Sequence, residues 1–397
     1  MTRSMVPGFF LFALVIAAAG SHPLGNNLAA PQSNRHVPRF EVDPLWPKLP
    51  NNWIFGEVSA VAVGPRDHIW VLHRPRTVAP EQKADAAPAV VEFDEAGKFV
   101  RAWGGPAEGY EWPDTEHNIS VDHKGNFWIG GSNPTASLPQ GTKSDDMLLK
   151  FSSAGRFMMQ IGHRDQSGGN KDTTNLKKPT EVFVYRKTNE AFVADGYGNR
   201  RLIVLDADTG KFKRMWGAFG NEPLDPPPPS PPSPPSSPRP ASASPAAPTR
   251  VAFEDGPGPQ QFGTVHGVKV SNDGLVYVED RNNRRIQVFT VDGKYTTQVF
   301  IDRNEFGPFT AAAIAFSPDA RQQFMYVADY SNSHIVVVDR ATLEVLSTFG
   351  KQGHEPGDFT NLHHIAADSK GNLYTAEVGQ GRRAQKFVLK GMSHPGP

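Results

Sequence analysis

The sequence of 397 residues contains no cysteine. This absence excludes disulfide bonds, thiolate metal ligands and cysteine nucleophiles together. Any bound metal ion must therefore be held by His, Asp or Glu. The sequence also lacks a net charge, because 41 basic residues balance 41 acidic ones. Without an excess of positive charge, we expect no nucleic-acid partner and no electrostatic attraction to an anionic membrane.

Long apolar segments are absent after the first 20 residues. Residues 9–19 form one apolar run, which Arg3 precedes and the small residues Gly20 and Ser21 follow. This order is typical of a secretory signal peptide, and the run is too short for a comfortable membrane span. We expect cleavage near Gly20 and no membrane span in the mature protein. The expected location is secreted, periplasmic or otherwise extracellular.

What the sequence does contain is an internal repeat. Each copy reads as an alternating strand, a polar Gly turn, a second β-rich strand, a turn rich in Asp, Asn and Gly, and a third strand. Segments such as FVRAWG from Phe99 and VLSTFG from Val345 supply a fourth strand. Six four-stranded units of this kind predict an all-β fold, a six-bladed β-propeller. The copies contain segments that begin at Val58, His117, Pro179, Val265, Ala311 and His363.

The two ends of the repeat predict how the ring closes. The sixth copy stops after its third strand, near Leu389, while a strand-like segment, RFEVDP from Arg39, precedes the first copy. We expect this N-terminal strand to complete the sixth blade, because closure leaves no open sheet edge. A Pro-rich run lies between the third and fourth copies and is too poor in apolar residues to pack. The predicted divisions are a signal peptide at 1–20, a linker at 21–35, the propeller at 36–390 with a disordered insertion at 221–259, and a tail at 391–397.

Histidine recurs at one position of the repeat. Each copy has an aliphatic residue at the same position of its first strand. Two residues before that position, the six copies have Ser59, His117, Thr180, His266, Ala312 and His363. Histidine occurs in alternate copies, so a six-fold ring would place three imidazoles around the channel mouth. Three nitrogen ligands with an open fourth position describe a catalytic zinc site. The pattern requires each strand start to turn its imidazole toward the axis, since strand parity otherwise directs it between blades.

Three further motifs accompany the histidines. LHRPR contains Arg74, VADGYGNRR contains Tyr197 and VEDRNNRR contains Arg281. Together with the histidines, these motifs resemble the peptidyl-α-hydroxyglycine α-amidating lyase family, also called peptidylamidoglycolate lyase, within the NHL-repeat six-bladed β-propellers. The resemblance extends through all six copies, from about residue 56 to residue 388.

The resemblance implies a reaction and a role for each residue. Zinc, bound by the three histidines, polarises the hydroxyl group of a hemiaminal substrate. Tyr197 acts as the base, for which it needs a cation nearby, while Arg74 and Arg281 hold the carboxylate that leaves as glyoxylate. We therefore expect a zinc-dependent carbon–nitrogen lyase that takes a small molecule or peptide into its central channel. We expect the protein to be a monomer.

The sequence also departs from that family. Disulfides are impossible here, and Gly198 stands where a cysteine follows the tyrosine. His364 stands where the family has an aspartate that helps to bind a structural calcium, which makes calcium doubtful in this chain. Strand parity predicts that the side chain of His364 points away from the zinc site. Two other functions stay open. One is a lactonase-type hydrolase, for which Glu181 and Asn118 offer part of a calcium ligand set; the other is a non-catalytic NHL-repeat binding or scaffold propeller.

Overall fold

The computed structural model describes Met1 and residues 36–133, 141–225, 256–305 and 307–394. The chain divides into two units, Met1–Ser33 and Asn34–Pro397, and the second unit contains the propeller. Apart from Met1, the predicted signal peptide and linker lie outside the described residues, as do residues 226–255 of the predicted insertion. The described ends of the insertion are hydrogen-bonded to the rest of the propeller. Asp225 accepts a hydrogen bond from the backbone N–H of Asn170, and the carbonyl oxygen of Pro259 accepts one from the guanidinium group of Arg285.

The described residues form six antiparallel sheets of four strands each, which confirms the predicted all-β, six-bladed propeller. Blade 1 contains β2 (Glu57–Val63), β3 (Ile69–Arg74), β4 (Val90–Phe93) and β5 (Phe99–Trp103). Blade 2 contains β6 (Glu116–Val121), β7 (Phe127–Gly131), β8 (Leu148–Phe151) and β9 (Phe157–Ile161). Blade 3 contains β10 (Glu181–Tyr185), β11 (Glu190–Asp195), β12 (Arg201–Asp206) and β13 (Phe212–Trp216).

The second half of the ring repeats the same order. Blade 4 contains β14 (Val265–Val270), β15 (Leu275–Asp280), β16 (Arg285–Thr290) and β17 (Tyr295–Phe300). Blade 5 contains β18 (Ala313–Phe316), β19 (Phe324–Asp329), β20 (His334–Asp339) and β21 (Val345–Phe349). Blade 6 contains β22 (Leu362–Ala367), β23 (Leu373–Glu377) and β24 (Arg383–Ser393), with β1 (Val37–Asp43) as its fourth strand.

The N-terminal strand closes the ring as the sequence predicts. β1 pairs antiparallel with β24, from Val37 opposite Ser393 to Asp43 opposite Lys386. β24 continues to Ser393, beyond residue 390, where the sequence places the end of the propeller. Blade 6 thus joins the first and last strands of the ring, and its edge is paired rather than open.

The core lies between the blades. Six clusters of buried apolar side chains each join two neighbouring blades, and the cluster between blades 6 and 1 completes the circle. Alternation along each strand explains this arrangement, because successive side chains face the blade on either side. In blade 4, for example, Val278 packs toward blade 3 while Tyr277 packs toward blade 5.

A buried ion pair recurs at the corner between the second and third strands. Asp195 and Asp280 bind Arg201 and Arg285 at 2.9 and 2.8 Å, with all four side chains fully buried. Both guanidinium groups also donate to backbone carbonyls in the loop before the same blade. The pair therefore ties that loop to its sheet, which explains the Asn-x-Arg motif of the repeat.

Helical structure in the described residues is limited to short 3-10 turns. Within the described ranges, no helix combines the length and the apolar character needed to cross a bilayer. The turns are Pro65–Asp67, Pro75–Thr77, Pro80–Asp85, Ala218–Gly220 and Arg281–Asn283.

Candidate metal centre

The three alternate-blade histidines meet in the channel. The ring centroids of His117, His266 and His363 lie 4.8–5.0 Å apart, and each ring is nearly perpendicular to the other two. One ligand nitrogen from each ring lies within 4.8 Å of the others, and all three residues are buried. The structure therefore brings together the three residues that the sequence proposes as metal ligands.

A β-bulge turns each histidine toward the axis. In β6, Glu116 lies opposite Gly131 and Asn118 lies opposite Gly130, so that His117 is an extra residue without a partner in the register. His266 and His363 occupy the same position in the bulges of β14 and β22. A bulge interrupts the alternation of side chains and re-aims the extra residue. This irregularity resolves the conflict between strand parity and an axial imidazole.

Backbone carbonyls of the following blades orient the rings. The Nδ1 atoms of the three histidines lie 2.5–2.9 Å from the carbonyl oxygens of Thr180, Ala312 and Ser59. A carbonyl oxygen only accepts, so each Nδ1 must carry the hydrogen, and in the neutral ring Nε2 then keeps a lone pair. The acceptors are the equivalent residues of blades 3, 5 and 1. The same contact, repeated three times, therefore prepares every imidazole to bind through Nε2.

Burial keeps these imidazoles neutral. Burial, assisted by the charge of Arg74, lowers the pKa of His117 to about 3. Burial is also the largest cause that lowers the pKa values of His266 and His363 well below the usual range. A metal ligand must be a neutral imidazole. The three groups are therefore in the protonation state that metal binding needs.

Tyr197 lies directly beside the histidines. Its hydroxyl oxygen is 3.2 Å from Nε2 of His117 and 3.1 Å from Nε2 of His266. Nη1 of Arg281 donates to the same oxygen at 3.1 Å. The tyrosine carries one hydroxyl hydrogen, which can satisfy one Nε2 at a time. Within the described part of the chain, the Nε2 lone pairs of His117 and His266 thus share a single donor, so the donor chemistry fits a cation.

Arg74 lies at the same end of the channel but is already paired. Its Nη1 binds the carboxylate of Glu57, and its Nε donates to the carbonyl of Glu116 at 2.8 Å. The positive charge of Arg74 acts on both His117 and His363. The structure therefore brings Arg74 to the site that contains Tyr197 and Arg281, although its guanidinium group is engaged by the protein itself.

A second polar cluster lies in the channel next to the bulges. Nε2 of His364 is 3.2 Å from Glu181 and 3.3 Å from the amide nitrogen of Asn118. Glu181 also binds the ammonium group of Lys269. Oxygens of Glu181 and of Glu279 lie against Gly267, in the space that a side chain at this position would fill. His364 therefore faces other polar channel groups, which simple strand alternation does not predict.

This second cluster does not fit calcium. An ammonium group already occupies the carboxylate of Glu181, and an imidazole stands where the resemblance implies an aspartate. Calcium prefers a shell of oxygen ligands without a competing cation. Glu181 and Asn118, the partial ligand set for a lactonase-type hydrolase, are both engaged with basic or imidazole groups. The three-histidine centre is the better candidate for a metal.

Sequence reasoning missed several groups near the site. Glu57, Lys269 and Glu279 each contribute through a partner on another strand or blade, and a single strand motif does not reveal such partners. Tyr330 could have been predicted from the repeat, because it directly follows the second strand of blade 5, as Arg281 follows the second strand of blade 4. Comparing loop residues across the copies, rather than strand residues alone, would have identified it.

Residues 262–289 match the NHL repeat model. Together with the six sheets, this match supports a six-bladed propeller that contains an NHL repeat in blade 4. NHL repeat-containing protein 3 of Homo sapiens is 27% identical over 396 residues, which cover 96% of this chain and 94% of that protein. A probable peptidyl-alpha-hydroxyglycine alpha-amidating lyase of Caenorhabditis elegans is 23% identical over 348 residues, 82% of this chain and 81% of that protein. A solved structure of streptogramin B lyase, 13% identical, has a TM-score of 0.50 over 88% of this chain and 98% of that one, which supports the fold alone.

Proposed function

We propose that this chain is an exported zinc lyase that cleaves a peptidyl-α-hydroxyglycine, or a similar hemiaminal, into an amide and glyoxylate. One observation carries the proposal: three buried imidazoles each place one nitrogen within 4.8 Å of the others, and the hydroxyl group of Tyr197 lies beside two of them. The distant relatives include a probable amidating lyase, which supports the same chemistry.

His117, His266 and His363 would hold the zinc ion through Nε2. A zinc ion bound there supplies a Lewis acid for the hydroxyl oxygen of the substrate. The carbonyl acceptors of the following blades keep the three rings in place, so the ligands need little rearrangement on binding. This pre-organisation favours a metal centre over three separate structural histidines.

The reaction moves one proton and breaks one carbon–nitrogen bond. The hydroxyl O–H bond breaks, its electron pair forms the carbonyl of glyoxylate, and the amide nitrogen leaves with the pair of the broken C–N bond and takes up a proton. We assign the removal of the hydroxyl proton to Tyr197, because its hydroxyl oxygen lies beside Nε2 of His117 and His266. Arg281 donates to the tyrosine oxygen, fixes its position and complements the negative charge that develops there. Returning the same proton to nitrogen would restore Tyr197.

Metal content and turnover test the proposal in two steps. Elemental analysis of the purified protein should find about one zinc per chain, and His266→Ala should lose it while His123→Ala, a change at an exposed turn, keeps it. The zinc-loaded protein should then release glyoxylate from a peptidyl-α-hydroxyglycine. If the unaltered protein binds no metal, the assigned centre is wrong. Stoichiometric zinc without glyoxylate would reject the lyase and favour a binding propeller.

A further inference from the structure

The mouth of the metal centre has a second aromatic and polar side, formed by blades 4 to 6. Tyr330 directly follows β19, as Arg281 directly follows β15, so the two occupy equivalent places in neighbouring blades. Tyr330 and Arg281 also pack against the same ring, that of Phe309, which places Tyr330 on the Arg281 side of the centre. Tyr330 has no role in the reaction as derived above.

Arg281 is held in one orientation. Its guanidinium carbon lies 4.4 Å from the ring centroid of Phe309 and 5.3 Å from that of Tyr197. Nη1 binds the Tyr197 hydroxyl group, and Nε contacts Asn282 at 3.4 Å. Within the residues that the structure describes, these bonds leave Nη2 to donate elsewhere. A guanidinium group stacked between two rings presents such a donor at low entropic cost.

Tyr330 offers a second donor. Its hydroxyl oxygen accepts a hydrogen bond from the side-chain amide of Asn361 at 2.9 Å, and its ring packs edge-on against Phe309 at 6.0 Å. Burial is the main cause that raises the pKa of Tyr330, so the hydroxyl group keeps its hydrogen at neutral pH. In the described ranges that hydrogen has no acceptor. It remains available for a ligand.

Arg74 differs from this pair, because Glu57 already neutralises it. A ligand carboxylate could reach Arg74 only by competing with the carboxylate of Glu57. Arg281 has no carboxylate partner in the described part of the chain. The two arginines at the mouth are therefore not equivalent, although the family resemblance assigns both to the substrate.

We propose that Arg281 and Tyr330 form the carboxylate-binding site of this centre. Arg74 instead has a positioning role, because it joins Glu57 to the backbone carbonyl of Glu116, next to His117. The ligand class is a small α-hydroxy or α-oxo carboxylate, whose carboxylate accepts from both groups while its α-oxygen points to the histidines. Asn361 orients Tyr330, and Phe309 supports both donors. This inference rests on the proposed function for the identity of the reaction, but the binding site can be tested without turnover.

Calorimetric titration of the zinc-loaded protein with glyoxylate is the direct test. Tyr330→Phe should weaken glyoxylate binding about tenfold or more, as expected when one hydrogen bond to a charged group is lost. Tyr295→Phe, on β17 in the outer part of blade 4, is the matched control and should bind as the unaltered protein does. Arg74→Ala should weaken binding less than Tyr330→Phe. In turnover, Tyr330→Phe should raise KM more than it lowers kcat.

The outcomes separate this inference from the lyase itself. Glyoxylate binding that depends on Tyr330, without release of glyoxylate from a hydroxyglycine peptide, would support the carboxylate site and reject the lyase. Lyase activity with unaltered glyoxylate affinity in Tyr330→Phe would overturn the carboxylate site alone. A larger loss in Arg74→Ala than in Tyr330→Phe would also overturn it, because Arg74 would then be the principal carboxylate donor.

Discussion

Glu279 should make the stability of this propeller depend on pH. Its side chain projects from β15 opposite Gly267, is fully buried, and has no hydrogen-bond donor for either oxygen among the described residues. Burial first, and then the charge of Glu181, raise the pKa of Glu279 well above its usual range. Lys269 partly opposes this rise but binds Glu181 instead. We predict that the native protein keeps Glu279 protonated at neutral pH.

The magnitude follows from the number of bound protons. Above the ordinary pKa of a glutamate, the unfolded chain has released this proton while the native chain retains it. The free energy of unfolding therefore falls as the pH rises, by about 1.4 kcal/mol for each pH unit. Between pH 5.5 and pH 7.5, Glu279 alone should lower the free energy of unfolding by about 2.7 kcal/mol while its carboxyl group stays protonated.

Urea unfolding of the unaltered protein and of Glu279→Gln at about pH 5.5 and 7.5 measures this difference. Glutamine is uncharged at both values, so the variant should lose about 2.7 kcal/mol less over the interval. Glu81→Gln, at an exposed site, should follow the unaltered protein. Parallel pH profiles for Glu279→Gln and the unaltered protein would refute the reasoning. So would a gain in stability with pH that calcium enhances, because a bound cation would hold Glu279 ionised and reverse the sign.

The remaining predictions concern the base and the ion pair of blade 5. Tyr197→Phe should lower kcat for glyoxylate release by about 10²–10⁴-fold with little change in KM, because proton removal belongs to the transition state; full activity would exclude Tyr197 as the base. In blade 5 the recurring ion pair contains His334: burial lowers its pKa, but the hydrogen bond that it donates to Asp302 and the charge of Asp329 raise the pKa overall. The stabilisation by charged His334 is present below about pH 6.5 and is lost as the pH rises through the native pKa. Because an arginine keeps its charge, His334→Arg should reduce the fall in melting temperature between about pH 6 and 8. An unchanged fall would contradict the assignment.

Much of the fold could be predicted because the repeat fixes equivalent positions. Once the copies are aligned, the number of blades, the missing strand of the last copy and the alternate histidines follow from local sequence. The pairing of β1 with β24 is the one long-range contact among these features, and the need to close the ring predicts it. No energetic detail was required for any of them.

The rest of the site depends on contacts between distant segments. His364 and Glu181 are 183 residues apart, and their contact follows from the radius of the channel rather than from any motif. The bulge at His363 depends on the register between β22 and β23, which strand alternation cannot reveal. Pairing of Arg74 with Glu57 likewise joins two strands of one blade. Residue types were predictable, whereas their partners required the structure.

The alternation of histidine with small residues has a physical reason. Each imidazole needs an acceptor for its Nδ1 hydrogen, and the carbonyl group of the equivalent residue in the next blade provides it. These acceptor residues are Ser59, Thr180 and Ala312, whose side chains leave the axis clear. The three rings already lie within 5.0 Å of one another, so a fourth at the same level would overlap them. Six-fold repetition therefore yields three imidazoles that meet in the channel rather than six.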